Sequence, residues 1–312
     1  MINPTEVNSL IRLLDDPDSE IFEHVYNKLF SYGAEAITYL ESAFEQAFDP
    51  IQQERIANLV HEIQFSNLKN DLKLWNQSGA FDLLQGILII NRYQYPDLDE
   101  QKVINQIEAI KRDIWIQMMN EASPKEQVKL INHVFYNIYG FSGNTANHLD
   151  PQNSYLSQVL ETKKGNQISL AIIYSIIAQK LDIPVYGVNL PQHFILAYLD
   201  ESMQSEFESG ILFYINAFNK GFLFGRRDVD MFLKQLKLKF DKQFYEPCSN
   251  TDIIKRVLRN LISAYENLGS AEKVRELNEL LNIMEAPRPL KGVLLICRIS
   301  SFHLLFVPPL GG

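Results

Sequence analysis

Apolar positions in the first part of the chain recur at helical spacing. Leu10, Ile11, Leu13 and Leu14 form one stripe, Asp16-Pro17-Asp18 breaks it, and Phe22, Val25, Leu29 and Phe30 begin a second. Ile37, Leu40 and Phe44 mark a third, so residues 7–65 read as a set of helices. A single helix pair of this kind cannot bury both faces and must pack on the neighbouring part of the chain. Residues 81–92, FDLLQGILIINR, are too densely apolar for an exposed helix; they predict a core helix that Pro96 terminates. Residues 101–119 continue as an amphipathic helix. Ser123-Pro124-Lys125-Glu126 combines a cap, a proline at the first helical position and an acidic residue at the third. That is a capping box, opening a helix that runs through Tyr139 and stops at Gly140 and Gly143.

The central segment changes character. GNQISLAIIYSIIAQKLDI, from Gly165, is a loop feeding an apolar helix, and LPQHFILAY places His193 after a turn proline at the mouth of a short strand. Residues 211–215 form a further strand, Asn219-Lys220-Gly221 a turn, and residues 228–238 a helix. Ser249 or Asn250 caps a helix carrying Ile253, Ile254, Val257, Leu258, Leu261, Ile262 and Tyr265, and Gly269 closes it. Val274, Leu277, Leu280 and Leu281 mark its antiparallel partner.

Composition narrows the class without choosing a function. The chain has 312 residues, 46% hydrophobic and 21% charged, which is ordinary for a globular protein with room for one large domain or two to three smaller ones. A net charge of -9 with no Lys/Arg run argues against a nucleic-acid partner. Two cysteines, Cys248 and Cys297, are too few for a zinc cluster or a disulfide framework and suit a reducing, cytoplasmic location. The start lacks a basic segment followed by an apolar run, so no signal peptide is expected. From Ala286 the chain turns apolar with no acidic residue. The run 293–307 carries Arg298 in its middle and is short for a membrane span, so no membrane partner is expected and no function is assigned to the tail.

Three residues carry the candidate chemistry. Ser169 sits in the first turn of the apolar helix, where the dipole and free N–H groups favour negative charge. A hydroxyl there needs a strong base to become a nucleophile; the other reading is a helix cap. His193, one helix, one strand and one turn further on, can serve as that base or be a hydrogen-bonded rim histidine. Asn216, in YINAFNKG, can orient the histidine as an amide acceptor or cap the turn it precedes. His148 and Asp150 lack a third ligand at convincing spacing, so neither a metal nor any other cofactor is expected.

The order small nucleophile type, histidine, polar orienter resembles papain-like and transglutaminase-like acyl-transfer sites. FDLLQGILIINRYQYPDLD, then GFSGNTANHLDPQNSYLSQVLETKKGNQISLAIIYSIIAQKLDIPVYGVNLPQHFILAY, then INAFNKG, resemble the SirB-type transglutaminase-like family over residues 81–285. Its bacterial members often carry a TPR-like hairpin, and a related segment occurs in an F-box protein. The resemblance implies an α+β fold, predominantly helical, with a small antiparallel sheet of papain/transglutaminase-like type packed on a core helix and flanked by helical repeat-like hairpins. The implied domains are a HEAT-like region at 1–70, the core at 71–245, a TPR-like pair at 246–285 and the apolar tail at 286–312. Carried over by position, the superfamily cysteine falls on Ser169, its histidine on His193 and its aspartate on Asn216. The usual GxP is Gly165-Asn166-Gln167 here, the usual PGH is Pro191-Gln192-His193, and the IDPF context is INAF. Without thiol and carboxylate, the leading reading is a non-catalytic module, a degenerate pseudoenzyme that binds a protein or peptide through its groove and helical repeats. The alternatives are a serine-dependent acyl hydrolase or amide transferase using Ser169, His193 and Asn216, and a helical-repeat scaffold that leaves the groove unused.

Overall fold

The computed structural model describes residues 2–119, 121–204 and 209–285; the apolar tail at 286–312 lies outside the described residues. Helices α2 (Ser19–Ser31) and α3 (Ala34–Gln46) match the second and third apolar stripes, while α1 (Pro4–Ile11) takes only Leu10 and Ile11 of the first, Leu13 and Leu14 falling in the turn after it. Asp18 caps α2 by accepting from the N–H groups of Glu20 and Ile21, which is why the chain breaks at Asp16-Pro17-Asp18. Val7, Leu14, Val25, Leu29, Ala36 and Leu40 close on Ile56, Leu59 and Ile63 to form a core of their own.

Those last three belong to α4 (Pro50–Gln77), which runs unbroken past residue 70. Its second half delivers Leu68, Leu72 and Trp75 to a different and larger core. One helix thus serves both cores, and no hinge separates them there. The apolar segment after it forms α5 (Leu83–Gln94), capped by Asp82. Phe81, which the sequence pattern counted into the core helix, precedes that cap and is exposed.

Helix α6 (Glu100–Gln117) is amphipathic and buries Val103, Ile107, Ile110 and Ile114. Helix α7 (Pro124–Asn132) begins with the Ser123–Glu126 capping box and continues as a π-helical turn at His133–Ile138. Two short strands, β1 (Ser142–Gly143) and β2 (Lys164–Gly165), pair in parallel and bracket α8 (Leu156–Thr162), a helix the periodicity did not reveal. Strand β2 leads into α9 (Gln167–Gln179), in which every residue from Ile168 to Ala178 is buried. A helix apolar all round belongs in the middle of a protein.

An antiparallel sheet comes next, in the order β3 (Val185–Val188), β4 (Ile195–Gln204), β5 (Ser209–Asn216) and β6 (Phe222–Phe224). Register pairs Leu196 with Ile215 and Tyr198 with Phe213, and these four face the main core with α9. The alternate positions Ile195, Ala197, Leu199 and Tyr214 face the other way, onto Val229 and Leu233 of α10 (Arg226–Gln235). Both faces are covered, which is why FILAYL reads as a continuous apolar run instead of alternating. The chain ends its described course in the hairpin α11 (Asn250–Asn267) and α12 (Ala271–Glu285), both packed into the main core. Glu276 of α12 is buried and accepts from Tyr93 of α5 at 2.8 Å, with His61 Nε2 of α4 at 2.6 Å, fastening three helices. The protein is therefore mostly helical with one small antiparallel sheet, an α+β fold.

Asn91 is the polar pin of this core. Fully buried on α5, it donates to Ile87 O at 2.8 Å and accepts from the backbone N–H of Ser157 at 3.0 Å, capping α8 from outside. Asn91→Leu keeps the size but takes the acceptor from that partly buried N–H and from the Ser157 hydroxyl. Denaturant unfolding should report a loss of about 1–3 kcal/mol; an unchanged midpoint would show that Asn91 pins nothing.

Candidate functional site

The site is built where β2 turns into α9. Asn166 is the N-cap: its Oδ1 accepts from Ser169 N–H at 2.9 Å, and Ser169 Oγ accepts from Asn166 N–H at 3.0 Å. The Ser169 hydroxyl also lies 3.3 Å from Asn166 O, and the residue is 2% exposed. Asn166 Nδ2 donates to Ser154 Oγ at 2.8 Å, tying the cap to the preceding turn. Gly165 permits this closure. A Cβ there would stand 2.5 Å from Ser169 Oγ and 2.9 Å from Val159 Cγ1.

His193 approaches from the turn before β4, its N–H bonded to Leu190 O at 3.0 Å. Its ring meets Gln167, the first residue of α9, with Nδ1 3.0 Å from Gln167 Nε2. The same amide accepts from Phe194 N–H at 3.2 Å through Oε1. The imidazole edge contacts Phe232 of α10, centroids 4.9 Å apart. Burial, and then the positive charge of Arg256, hold its pKa below the ordinary histidine value.

Asn216 ends β5. Its Oδ1 accepts from the N–H groups of Phe218 and Asn219, both at 3.1 Å, so it caps the turn after the strand. That turn is anchored elsewhere: Gly221 has φ +69° and a Cβ on it would lie 2.0 Å from Asn132 Oδ1. Asn132 Nδ2 in turn donates to Gly221 O at 3.0 Å.

The three expected site residues do not form a hydrogen-bonded relay. Ser169 bonds to the backbone of Asn166, His193 to Gln167, and Asn216 to its own turn. The side chain at the helix start that reaches the histidine is Gln167, two residues before the serine, because residues two apart on a helix face different ways. Sequence order placed the elements but not this rotation.

A cavity of about 360 Å³ opens beside Gln167. Asn144, Asp150 and Ser154 line one wall, Asn166, Gln167 and Gln192 the floor, and Arg256, Asn260 and Ser263 of α11 the other wall. The first wall is held by its own amides: Asn144 Nδ2 donates to Asn153 Oδ1 at 2.9 Å and Asn153 Nδ2 to Asn147 O at 2.7 Å. Asp150 is engaged by Asn147 and by Gln152 N–H, and the described residues hold no group of three or more His, Cys, Asp or Glu arranged for a metal. Arg256 donates to Asn189 Oδ1 at 2.9 Å and makes no ion pair with a described carboxylate. Spacing on the amphipathic α11 could have flagged Arg256, Asn260 and Ser263 as neighbours on one face. Gln167 carried no such signal. A larger hollow of about 590 Å³, around Pro124, Asp182, Tyr198 and Asp200, shares none of these residues.

The site thus brings together the start of a buried helix, a strand entering on a histidine and a strand ending on a polar residue. The transglutaminase-like superfamily profile matches residues 101–259, about half of the chain, and the chain belongs to that superfamily. It is 30% identical over 215 residues to the UPF0162 protein of Xylella fastidiosa, covering 63% of this chain and 71% of that one. The UPF0162 protein of Vibrio cholerae is 27% identical over 188 residues, 59% of this chain and 67% of its own. F-box only protein 21 of Mus musculus is 27% identical over 189 residues, which are 60% of this chain but 30% of that longer protein. No solved structure matches. Among the described residues no helix is long and apolar enough to cross a membrane.

The bonding gives two expected outcomes. Ser169→Ala removes one arm of the capping box and should cost about 1 kcal/mol in denaturant unfolding. For His193 the folded pKa lies below the unfolded value, so the unfolded chain takes up its proton first as pH falls. Its contribution is therefore present above the unfolded pKa of about 6.5 and is lost as pH falls below it. Unfolding measured against pH should show that acid-side loss in the wild type and a smaller one in His193→Gln; identical profiles would contradict the assignment.

Proposed function

We propose that this chain is a non-catalytic, SirB-type transglutaminase-like module that binds a protein or peptide partner in the groove beside Gln167. Within this reading the core at 71–245 packs in the papain/transglutaminase manner, helices of the 1–70 region form a HEAT-like support, and α11 and α12 a TPR-like hairpin whose Arg256–Ser263 face walls the groove. One observation carries it. The Ser169 hydroxyl at the start of α9 is buried and spent on the Asn166 backbone, so it has no base and no path to a substrate. The groove is lined by amides, hydroxyls and the Arg256 guanidinium, which can pair with a polypeptide backbone, together with Asp150 and His148 and the apolar Leu149, Phe218 and Ala264. The likeness to one segment of a far longer protein with an F-box name supports a module that is carried for binding.

A photo-reactive amino acid placed at Asn260 in the full chain should crosslink a polypeptide partner. Arg256→Glu should weaken that capture at least about tenfold, the worth of a hydrogen bond to a charged group, and Ser169→Ala should leave it intact. A fluorophosphonate probe should leave Ser169 unlabelled. Labelling that depends on His193, with turnover lost in Ser169→Ala, would replace this reading with an acyl hydrolase.

A further inference from the structure

An imidazole with one proton can carry it on either nitrogen, and the surroundings choose. Here the choice is made by a backbone N–H that is not itself in contact with the ring. Phe194 N–H can only donate, so the Gln167 amide atom 3.2 Å from it must be the oxygen. Turning the amide over would set NH2 against N–H and leave both donors unpaired. With the oxygen committed, the NH2 group faces Nδ1 at 3.0 Å, and Nδ1 must accept. The proton of the neutral ring is then on Nε2, for which the described residues supply no hydrogen-bond partner.

The parts that impose this are anchored in the fold. Gln167 starts a helix buried on all sides, Phe194 is buried at the entry to β4, and Phe232 holds the ring edge. A second proton would have to go to Nδ1 and would break the Gln167 bond. The charged group facing the ring is Arg256, from α11; Gln167 from α9 and Phe232 from α10 are uncharged. Burial and that guanidinium both oppose the imidazolium.

We propose that Gln167, aligned by Phe194 N–H, is a positioning residue that locks His193 as the neutral Nε2–H tautomer, so that the ring meets a ligand as a hydrogen-bond donor to a carbonyl or carboxylate oxygen. The lone pair that a general base would use is occupied. The lock stands on bonds within the chain alone; the ligand class rests on the partner-binding reading, in which Arg256 and Gln167 line the groove.

Ligand-free full-length protein labelled with 15N-histidine tests the lock by long-range 1H–15N correlation. At neutral pH the His193 ring should show Nδ1 without a proton and Nε2 with one. Gln167→Glu keeps an acceptor for Phe194 N–H but presents a second oxygen to Nδ1; its spectrum should show Nδ1 protonated, with the ring pKa raised by ~1–3 units. Gln167→Met, with no donor, should show both tautomers. A wild-type ring protonated on Nδ1, or a Gln167→Glu spectrum unchanged from wild type, would overturn the lock. The wild-type spectrum decides by itself if a variant fails to fold. Loss of partner capture with this spectrum intact would remove the binding reading and leave the lock standing.

Discussion

Helix α9 is buried from Ile168 to Ala178, so the protein itself must satisfy the Ser169 N–H in its first turn. Asn166 and Ser169 do so by exchanging bonds, under a glycine that leaves no room for anything else. That exchange commits the serine hydroxyl to the backbone, and Gln167, beside it in the same first turn, is the side chain that His193 meets. A position that offers a nucleophile or a cap in one dimension is bonded within a cap in three.

The sheet and the flanking helices serve this arrangement by burying α9 from both ends. Leu196, Tyr198, Phe213 and Ile215 cover it on one side while α5, α6, α8 and α11 pack on the others, and α10 seals the outer face of the sheet. The first three helices make a separate core, but α4 belongs to both cores and the His61–Glu276–Tyr93 contact fastens it to α12 and α5. Buried polar contacts of this kind are costly to break from one side, because the partner left behind keeps its desolvation cost without its bond.

Much of the fold was legible because it rests on local rules. The Asp18 cap, the Ser123–Glu126 box, the apolar run of α9 and the Gly269 closure are all short-range signals, and each marks a real boundary. Helix α8 escaped because it lacks a side-chain cap of its own; Asn91, far away in sequence, supplies one. The length of α4 escaped because its apolar face changes partners midway, which blurs a single stripe. At the site, the neighbourhood of helix start, histidine and strand end was readable from element order. Which side chain meets which was not, since that depends on helix rotation: Gln167 and Ser169 differ by two positions and point apart.

By itself the sequence determined most of the elements, because periodicity, caps and turn residues act over a few positions, and the α+β class followed from the resemblance those residues carry. Tertiary structure alone decided the bonding. Whether Ser169 is free, which atom of Gln167 faces His193, and whether Arg256 lacks a carboxylate partner all depend on elements distant in the chain meeting at defined angles. Hydrogen bonds are directional over a few tenths of an ångström, and no pattern of residue types carries that information.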